Sequence, residues 1–176
     1  PVLLTRDGTT VTALANTCRH RGHELLSEGE ATRRAVVVCP YHAWTYRLDG
    51  TLRTAPRFPD LPSDAALVPL PVEVWHGWIF VNATGDAAPF ATHLGGLDDL
   101  VAPYAPENLA LAARHEYDVC ANWKVIVENY HECYHCPHIQ PELCAVSPPT
   151  SGDNYDLPGA WVGGAMDLRV GAETMS

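Results

Sequence analysis

The sequence predicts an α+β protein in which an all-β half precedes a mixed half with one pronounced helix. Short runs of β-branched and aromatic residues, separated by turn signals, extend from Val2 to about Asn82. An amphipathic helical pattern lies further along, at residues 122 to 136. The chain has 176 residues, of which 47% are hydrophobic, with 15 Pro and 13 Gly. This composition fits one globular domain or a pair of small ones rich in turns.

The first half is predicted to be strands joined by tight turns. The sequences RDGT at 6 to 9 and LDGT at 48 to 51 place Asp-Gly between extended segments, as in β-hairpins. The proline-rich segment 55–64 should be a surface loop, because proline cannot donate to a sheet ladder. The segments richest in β-branched and aromatic residues, and so predicted to be extended, are 35–39, 43–46 and 72–82.

The second half is predicted to contain a linker with a short helix, a strand and a longer helix. The composition turns to Ala, Leu, Pro and Asp between Gly85 and Arg114, and EYDVCA at 116 to 121 then suggests a strand. We expect the longer helix to end near Cys136, since Pro137 disfavours helical backbone before it. Its apolar stripe is Trp123, Val127, Tyr130 and Tyr134, and its polar face is Glu128, Glu132 and His135.

Charge and hydropathy exclude several classes of partner. The formal charge is -10, and the 11 Lys and Arg residues are spread along the chain, so we expect no nucleic-acid partner. No apolar run reaches the roughly 20 residues of a membrane span, and no signal segment opens the chain. We therefore expect a cytoplasmic protein without a membrane partner. Four of the six cysteines lie near histidines at ligand-like spacings, which favours metal binding over disulfides.

The first motif pairs cysteine with histidine twice. Cys18 and His20 form C-x-H, and after 18 intervening residues Cys39 and His42 form C-x-x-H. Two thiolates and two imidazoles suit either zinc or a [2Fe-2S] cluster with histidine on one iron. The pattern, with RG after the first pair and PY inside the second, resembles the Rieske iron-sulfur domain. The resemblance implies that Cys18 and Cys39 hold one iron and that His20 and His42 hold the other, with structural zinc as the competing interpretation.

The residues around this motif bear on the reduction potential. His23, Tyr41 and Trp44 occupy positions where Rieske proteins of respiratory complexes carry a second pair of cysteines and a serine that donates to the cluster. Fewer hydroxyl donors to sulfur favour the oxidised cluster, so we expect a potential toward the lower end of the Rieske range of roughly -150 to +300 mV.

The second motif is NWKVIVENYHECYHCPHIQPEL at residues 122 to 143. Following a Rieske-like domain, it resembles the iron helix of Rieske non-heme iron oxygenases, catalytic subunits with a helix-grip α+β domain. The resemblance implies that Asn129 lies beside a mononuclear Fe(II), that Glu132 passes electrons from a neighbouring subunit's Rieske histidine, and that His135 is the first iron ligand. It also implies a Rieske domain at 1–88, a linker at 89–114 and the beginning of the catalytic domain at 115–176, in a sequence expected to be a fragment lacking both termini.

The second motif departs from the family at one ligand. Gln140 stands where the family has the second histidine, five residues after His135. His138 could replace that ligand, Gln140 could bind weakly through its amide oxygen, or the mononuclear site could be lost. The third ligand of the family, a carboxylate, would lie beyond Ser176. Cys133 and Cys136 are expected to be small packing residues, with a zinc site on them as the alternative.

The resemblance predicts a Rieske oxygenase that takes electrons from NAD(P)H through a reductase or ferredoxin and uses O2 to hydroxylate a small organic substrate. The text ENYHECYHCP together with PELCAVSPP is most similar to the choline, glycine-betaine and stachydrine monooxygenase group, which hydroxylates N-methyl groups with demethylation. The alternatives are an aromatic-ring-hydroxylating dioxygenase of aromatic hydrocarbon catabolism and an electron-transfer Rieske protein without a working iron site; a zinc-stabilised binding module ranks below them. The family implies a homotrimer.

Overall fold

The structure is a computed structural model that describes residues 1–62 and 64–172. It divides between Ala88 and Pro89 into two compact units, the first built from strands and the second from short helices and loops. The predicted α+β class is confirmed. Within the described residues, no helix is long and apolar enough to cross a membrane.

The first unit contains two small antiparallel sheets and a separate hairpin. The first sheet has the order β1-β2-β6, the second has the order β3-β4-β5, and β7 pairs with β8. The strands described in this unit are β1 (Val2–Asp7), β2 (Thr10–Ala15), β3 (Val36–Val38), β4 (Thr45–Arg47), β5 (Leu52–Thr54), β6 (Pro69–Leu70), β7 (Val72–Trp75) and β8 (Trp78–Val81).

Both predicted Asp-Gly turns are confirmed. Asp7 pairs with Thr10 at the end of the β1-β2 hairpin, and Gly8 takes the positive φ of 58° that such a tight turn requires. Gly50 joins β4 to β5 with a φ of 87°. A Cβ on Gly50 would lie 2.7 Å from Leu14 Cδ2, so this turn packs directly against β2.

The segment 72–82 is a hairpin and not one continuous strand. His76 and Gly77 take positive φ values of 46° and 88° and reverse the chain between β7 and β8. The sequence pattern shows only strand-forming residues here, because a turn of this kind is set by two residues. The loop predicted at 55–64 contains no strand among its described residues.

The core of the first unit lies where its two sheets meet. Leu14 on β2 and Tyr46 on β4 are fully buried, and both cysteines of the first motif belong to the same cluster. The burial of Cys18 and Cys39 therefore anchors their two loops to the sheets. The buried members of the cluster are Leu3, Leu14, Cys18, Leu25, Cys39, Trp44, Tyr46, Ala55, Ala65 and Leu67.

The second unit consists of short helices and one very short strand pair. A 3-10 turn covers Ala102–Tyr104 and another covers Pro106–Asn108, within the segment 89–114 expected to be a linker. Strands β9 (Asp153–Asn154) and β10 (Gly164–Ala165) pair in antiparallel fashion. The α-helices described in this unit are α1 (Phe90–Leu94), α2 (Leu97–Val101), α3 (Trp123–Tyr130), α4 (Cys136–Ile139) and α5 (Pro141–Val146).

Two sequence predictions are wrong in this unit. The segment 116–121 is not a strand, because no other segment among the described residues forms a ladder with it. The longer helix ends at Tyr130 and not near Cys136. Its beginning is as the sequence suggests, since the side chain of Asn122 accepts from the Lys124 N–H at 2.9 Å and caps the helix.

Proline acts at the start of a helix in this segment and not at an end. Pro137 lies in the first turn of α4, where its missing N–H costs nothing and its fixed φ favours helix. The backbone between α3 and α4 turns at Glu132, whose side chain accepts from the Tyr134 N–H at 2.7 Å. This side-chain contact competes with helical hydrogen bonding, which explains the early end of α3.

Candidate functional site

The two loops of the first motif are built alike. The Cys18 N–H donates to the carbonyl of His23 at 2.8 Å, and the Cys39 N–H donates to that of Trp44 at 2.8 Å. Each cysteine carbonyl in turn accepts from the amide four residues later, that of Gly22 at 2.9 Å and that of Ala43 at 3.0 Å. The two loops therefore present their cysteines in matching backbone surroundings.

Both loops use left-handed backbone at corresponding places. The φ values of Gly22 and Ala43 are 68° and 57°, four residues after Cys18 and Cys39 respectively. Glycine adopts this conformation freely, whereas alanine does so at a cost. The strained position of Ala43 indicates that the second loop is held in shape by its surroundings, as is common at functional sites.

The side chains of the two loops converge. The rings of His20 and His42 meet edge to face with centroids 4.7 Å apart, and the ring of His20 also stacks on Trp44 at 4.9 Å. Cys18 and Cys39 are free thiols, each only 2% exposed. Two thiols and two imidazoles are thus gathered at one edge of the unit.

The chemistry of these four side chains fits metal binding. Nδ1 of His20 is buried and has no hydrogen-bond partner among the described residues, which is unusual for a buried polar atom. Burial, followed among the raising effects by the nearby Cys18 thiol, raises the pKa of Cys39, so this thiol favours its neutral form until a cation binds. Partial desolvation, followed by His20, lowers the pKa of His42 and keeps that ring neutral, as a metal ligand must be.

The four side chains match the ligand set of a [2Fe-2S] cluster. Such a cluster requires only two protein ligands at each iron, since bridging sulfides complete the coordination. Two thiolates and two imidazoles are also ligands that zinc takes.

Tyr46 is a contact that the sequence analysis missed. Its hydroxyl lies 3.3 Å from Cys18 Sγ and accepts from the Arg19 N–H at 3.1 Å. Burial, followed by the contact with Cys18, raises the pKa of Tyr46 well above its ordinary value, so this hydroxyl keeps its proton. A cysteinate at Cys18 can only accept, and Tyr46 is then the donor. The sequence contains a signal for this contact, because Tyr46 stands two residues after Trp44 in the segment 43–46 predicted to be extended, which places both side chains on the same face. Trp44 is buried, and Tyr46 is buried with it.

The second motif brings Glu132 and His135 together. Nδ1 of His135 lies 2.6 Å from Oε1 of Glu132, while Oε2 of Glu132 accepts from the Tyr134 N–H at 2.7 Å. The contact with His135, followed by that with Tyr134, lowers the pKa of Glu132. A carboxylate that holds one ring nitrogen leaves the other, Nε2, available to a metal.

The remaining predicted site residues are placed around this pair. Asn129 is exposed in the last turn of α3. His138 lies on α4 and its N–H donates to the carbonyl of His135 at 3.0 Å. Gln140 follows α4, and its Oε1 lies 3.3 Å from Cys136 Sγ.

Cys133 and Cys136 are bonded to each other. The structure records a disulfide between them, whereas the sequence analysis expected packing residues or zinc ligands. The C-x-x-C spacing places the two Cα atoms 4.9 Å apart, within the range that a disulfide spans. The other cysteines, Cys18, Cys39, Cys120 and Cys144, are free.

Comparison with known proteins places both halves in one family. Residues 1–65 match the Rieske [2Fe-2S] domain, and residues 106–176 match the catalytic domain of the ring-hydroxylating alpha subunit. The chain is 44% identical over 135 residues to a carnitine monooxygenase oxygenase subunit of Escherichia coli, with 73% of this chain and 36% of that protein covered. It is 40% identical over 149 residues to a glycine betaine monooxygenase oxygenase subunit of Chromohalobacter salexigens, with 81% of this chain and 33% of that protein covered.

The structural comparison gives the same result. A quaternary ammonium Rieske monooxygenase, described for carnitine oxidation by gut microbiota and inter-subunit electron transfer, superposes with a TM-score of 0.75 and 35% identity. The match covers 87% of this chain and 44% of that one. The chain therefore spans less than half the length of each of these relatives. On these matches, the chain belongs to the family of Rieske oxygenases, in which a Rieske [2Fe-2S] domain precedes the catalytic domain of a ring-hydroxylating alpha subunit.

Proposed function

We propose that this protein is the oxygenase component of a monooxygenase that acts on a quaternary ammonium compound. The single observation that carries the proposal is the similarity across both halves to carnitine and glycine betaine monooxygenase oxygenase subunits. In this proposal, residues 1–88 form the Rieske domain, 89–114 the linker, and 115–176 belong to the catalytic domain.

The cluster is assigned to the first motif. Cys18 and Cys39 would hold one iron, and His20 and His42 would hold the other, with the unpaired Nδ1 of His20 as one of the donors. When bound, the cluster supplies one electron at a time from a reductase or ferredoxin that draws on NAD(P)H. The chain's own contribution is to bury the two sulfurs and to supply the Tyr46 hydroxyl beside Cys18.

The mononuclear Fe(II) is assigned to the second motif. His135 would bind through Nε2, because Glu132 holds its Nδ1 at 2.6 Å and thereby orients the ring. His138 or Gln140 would supply the second ligand, and a carboxylate outside this sequence the third. When bound, this iron supplies the activation of O2. Glu132, which contacts His135, would pass electrons from a neighbouring subunit's Rieske histidine, and Asn129 would lie beside the iron.

The proposed reaction hydroxylates an N-methyl carbon of the substrate. One oxygen atom of O2 is inserted into a C–H bond and the other is reduced to water with two electrons and two protons. The resulting hydroxymethyl group on nitrogen then leaves as formaldehyde, which amounts to demethylation. A homotrimer in which the Rieske domain of one subunit serves the iron of the next would be consistent with the inter-subunit electron transfer described for the relative.

The first test is the iron and acid-labile sulfide content of the complete gene product, purified without oxygen. A ratio of about three irons to two sulfides per chain supports both sites. Consumption of O2 and release of formaldehyde are then measured with carnitine, glycine betaine and choline. A protein with three irons that converts none of these and instead hydroxylates an arene would overturn the substrate assignment.

An electron-transfer Rieske protein is the second candidate, and Gln140 is the observation that favours it. An amide oxygen is a weaker iron ligand than the imidazole that the family has at this position. About two irons to two sulfides, with no O2 consumption, would support this candidate. The variant Gln140→His then separates the two: a gain of one iron per chain would mean that only the second ligand is missing.

A further inference from the structure

We propose that Cys133 and Cys136 form a reversible dithiol-disulfide pair that sets the position of Glu132 and His135. The disulfide joins the two ends of a four-residue loop that contains Tyr134 and His135. Glu132, directly before this loop, is bonded to both enclosed residues. Closing the loop restrains the backbone that carries Tyr134 and His135.

The geometry around Glu132 shows why the loop controls that carboxylate. Oε1 of Glu132 meets His135 Nδ1 at 2.6 Å, and Oε2 meets the Tyr134 N–H at 2.7 Å. Both bonds depend on the backbone of residues 133–136 being folded back on itself. Backbone bonds also shape the segment, since the Cys136 N–H donates to the Cys133 carbonyl and the Ile139 N–H donates to the His135 carbonyl, both at 3.2 Å. The disulfide adds a covalent restraint between the residues on either side of Tyr134 and His135.

The two sulfurs differ in access, which gives the exchange a direction. Cys136 is 2% exposed, whereas Cys133 is only partly buried. A reducing thiolate would attack Cys133 Sγ, and Cys136 would leave as the thiolate. A dithiol reductant then gives up two electrons and two protons in total: the S–S bond breaks, two protein thiols form, and the reductant becomes a disulfide. Hydrogen peroxide reverses the step, with two thiols giving one disulfide and two waters.

Reduction also creates a new donor at a position that matters. Cys136 Sγ lies 3.3 Å from Oε1 of Gln140. A disulfide sulfur carries no proton and cannot donate to this oxygen, but a Cys136 thiol can. Reduction would therefore loosen Glu132 and His135 while occupying the amide oxygen of Gln140. Both changes would weaken iron binding at this segment. This effect on iron rests on the proposed function, whereas the existence of the redox pair does not depend on it.

The first experiment counts thiols in the complete protein. The protein is denatured and alkylated with N-ethylmaleimide, with and without prior dithiothreitol, and the peptide containing residues 133–136 is weighed. We expect no label on this peptide before reduction and two labels after it, with hydrogen peroxide restoring the unlabelled state. Two labels in the unreduced, air-exposed protein, or failure of peroxide to close the pair, would overturn the proposal.

The second experiment measures hydrogen exchange at the Tyr134 amide, which donates to Glu132. Reduction should accelerate this exchange on the order of tenfold in the wild type. In Cys133→Ser the exchange should be fast with or without reductant, while Cys120→Ser, which removes an exposed free thiol, should respond as the wild type does. Equal exchange in the oxidised and reduced wild type would refute the role of the cysteine pair in positioning Glu132. This comparison does not depend on whether any variant folds.

The third experiment separates this inference from the proposed function. The protein is depleted of mononuclear iron while its cluster is kept, and Fe(II) is titrated into the forms with the Cys133–Cys136 pair oxidised and reduced. The visible spectrum of the cluster confirms that the reductant leaves the first site intact. We expect weaker Fe(II) binding to the reduced form. If no Fe(II) binds in either state, the mononuclear site has failed, yet the thiol and exchange results still decide the redox pair. Equal Fe(II) binding in both states would overturn its control of the site.

Discussion

Removing the hydroxyl of Tyr46 should lower the reduction potential of the cluster. The hydroxyl lies 3.3 Å from Cys18 Sγ in a fully buried position, and the variant Tyr46→Phe keeps the ring while deleting only this oxygen. Reduction adds negative charge that is shared with the cysteinate sulfurs, so a donor to sulfur stabilises the reduced form more than the oxidised form. Without it, the oxidised form gains relative stability.

The size of the effect follows from the strength of one such hydrogen bond. A hydrogen bond to a charged group contributes about 1.5–3 kcal/mol in a protein. If roughly half of this depends on the oxidation state, the difference is about 1 kcal/mol. For a one-electron couple, 1.4 kcal/mol corresponds to about 59 mV. We therefore expect a fall of about 40 mV, with the Arg19 N–H losing its acceptor in both states.

The measurement is an anaerobic redox titration of the wild type and Tyr46→Phe, followed by the visible spectrum of the cluster. Tyr41→Phe is the matched control, because Tyr41 is 57% exposed and its ring, which contacts His42 at 3.8 Å, is retained. Its potential should stay within about 10 mV of the wild type, well below the 59 mV that correspond to a tenfold change in the equilibrium constant. An unchanged or higher potential in Tyr46→Phe would refute the reasoning.

Three further predictions concern stability and ionisation in the first unit. Asn16→Ala should lower the free energy of unfolding by about 2–3 kcal/mol in chemical denaturation, because the buried amide oxygen accepts from the Leu25 and Leu26 N–H groups, both at 3.2 Å. Asn82→Ala is the control: its hydrogen bonds are exposed, so its free energy of unfolding should fall far less. Gly50→Ala should destabilise more than Gly8→Ala in the same assay, since both have positive φ but only the first would place Cβ against Leu14; equal losses would contradict this. Thr51→Ala should raise the pKa of Asp49 toward its ordinary value of about 3.9, because the hydrogen bond from the Thr51 hydroxyl is the main cause of its lowering. In the wild type, this contact stabilises the folded protein above that pH, and the stabilisation is lost as the pH falls through the lowered pKa. A carboxyl NMR titration of both proteins would measure the change.

The features that local chemistry determines were predictable from the sequence. The two Asp-Gly turns depend on backbone freedom at Gly8 and Gly50, and the structure has both. The Cys-His pattern likewise predicted that two thiols and two imidazoles share one site, and the 4.7 Å contact between the rings of His20 and His42 agrees with it. The matching backbone of the two loops could not be predicted, because it appears only as hydrogen bonds and not as a sequence repeat.

The second motif shows where periodicity misleads. Apolar and polar residues continue at helical spacing as far as His135, yet the helix ends at Tyr130. The spacing of Glu132 and His135 suggested one helical face, and the structure joins the two side chains through a turn instead. Competition of the Glu132 side chain for a backbone amide determines where the helix ends. A hydrophobicity pattern carries no information on such side-chain hydrogen bonds. The disulfide was missed because the two cysteines were assigned to packing or to zinc.

Tyr46 also provides a test of whether its hydroxyl acts as a donor across the whole accessible pH range. Burial, followed by the contact with Cys18, raises the pKa of this group, so the hydroxyl stays protonated where an ordinary tyrosine would ionise, near pH 10. The potential difference between the wild type and Tyr46→Phe should therefore remain constant as the pH rises from neutrality to about 10. An ionised tyrosinate would repel the reduced cluster, so a difference that shrinks or reverses below that pH would show that Tyr46 loses its proton and is not shielded as the structure indicates.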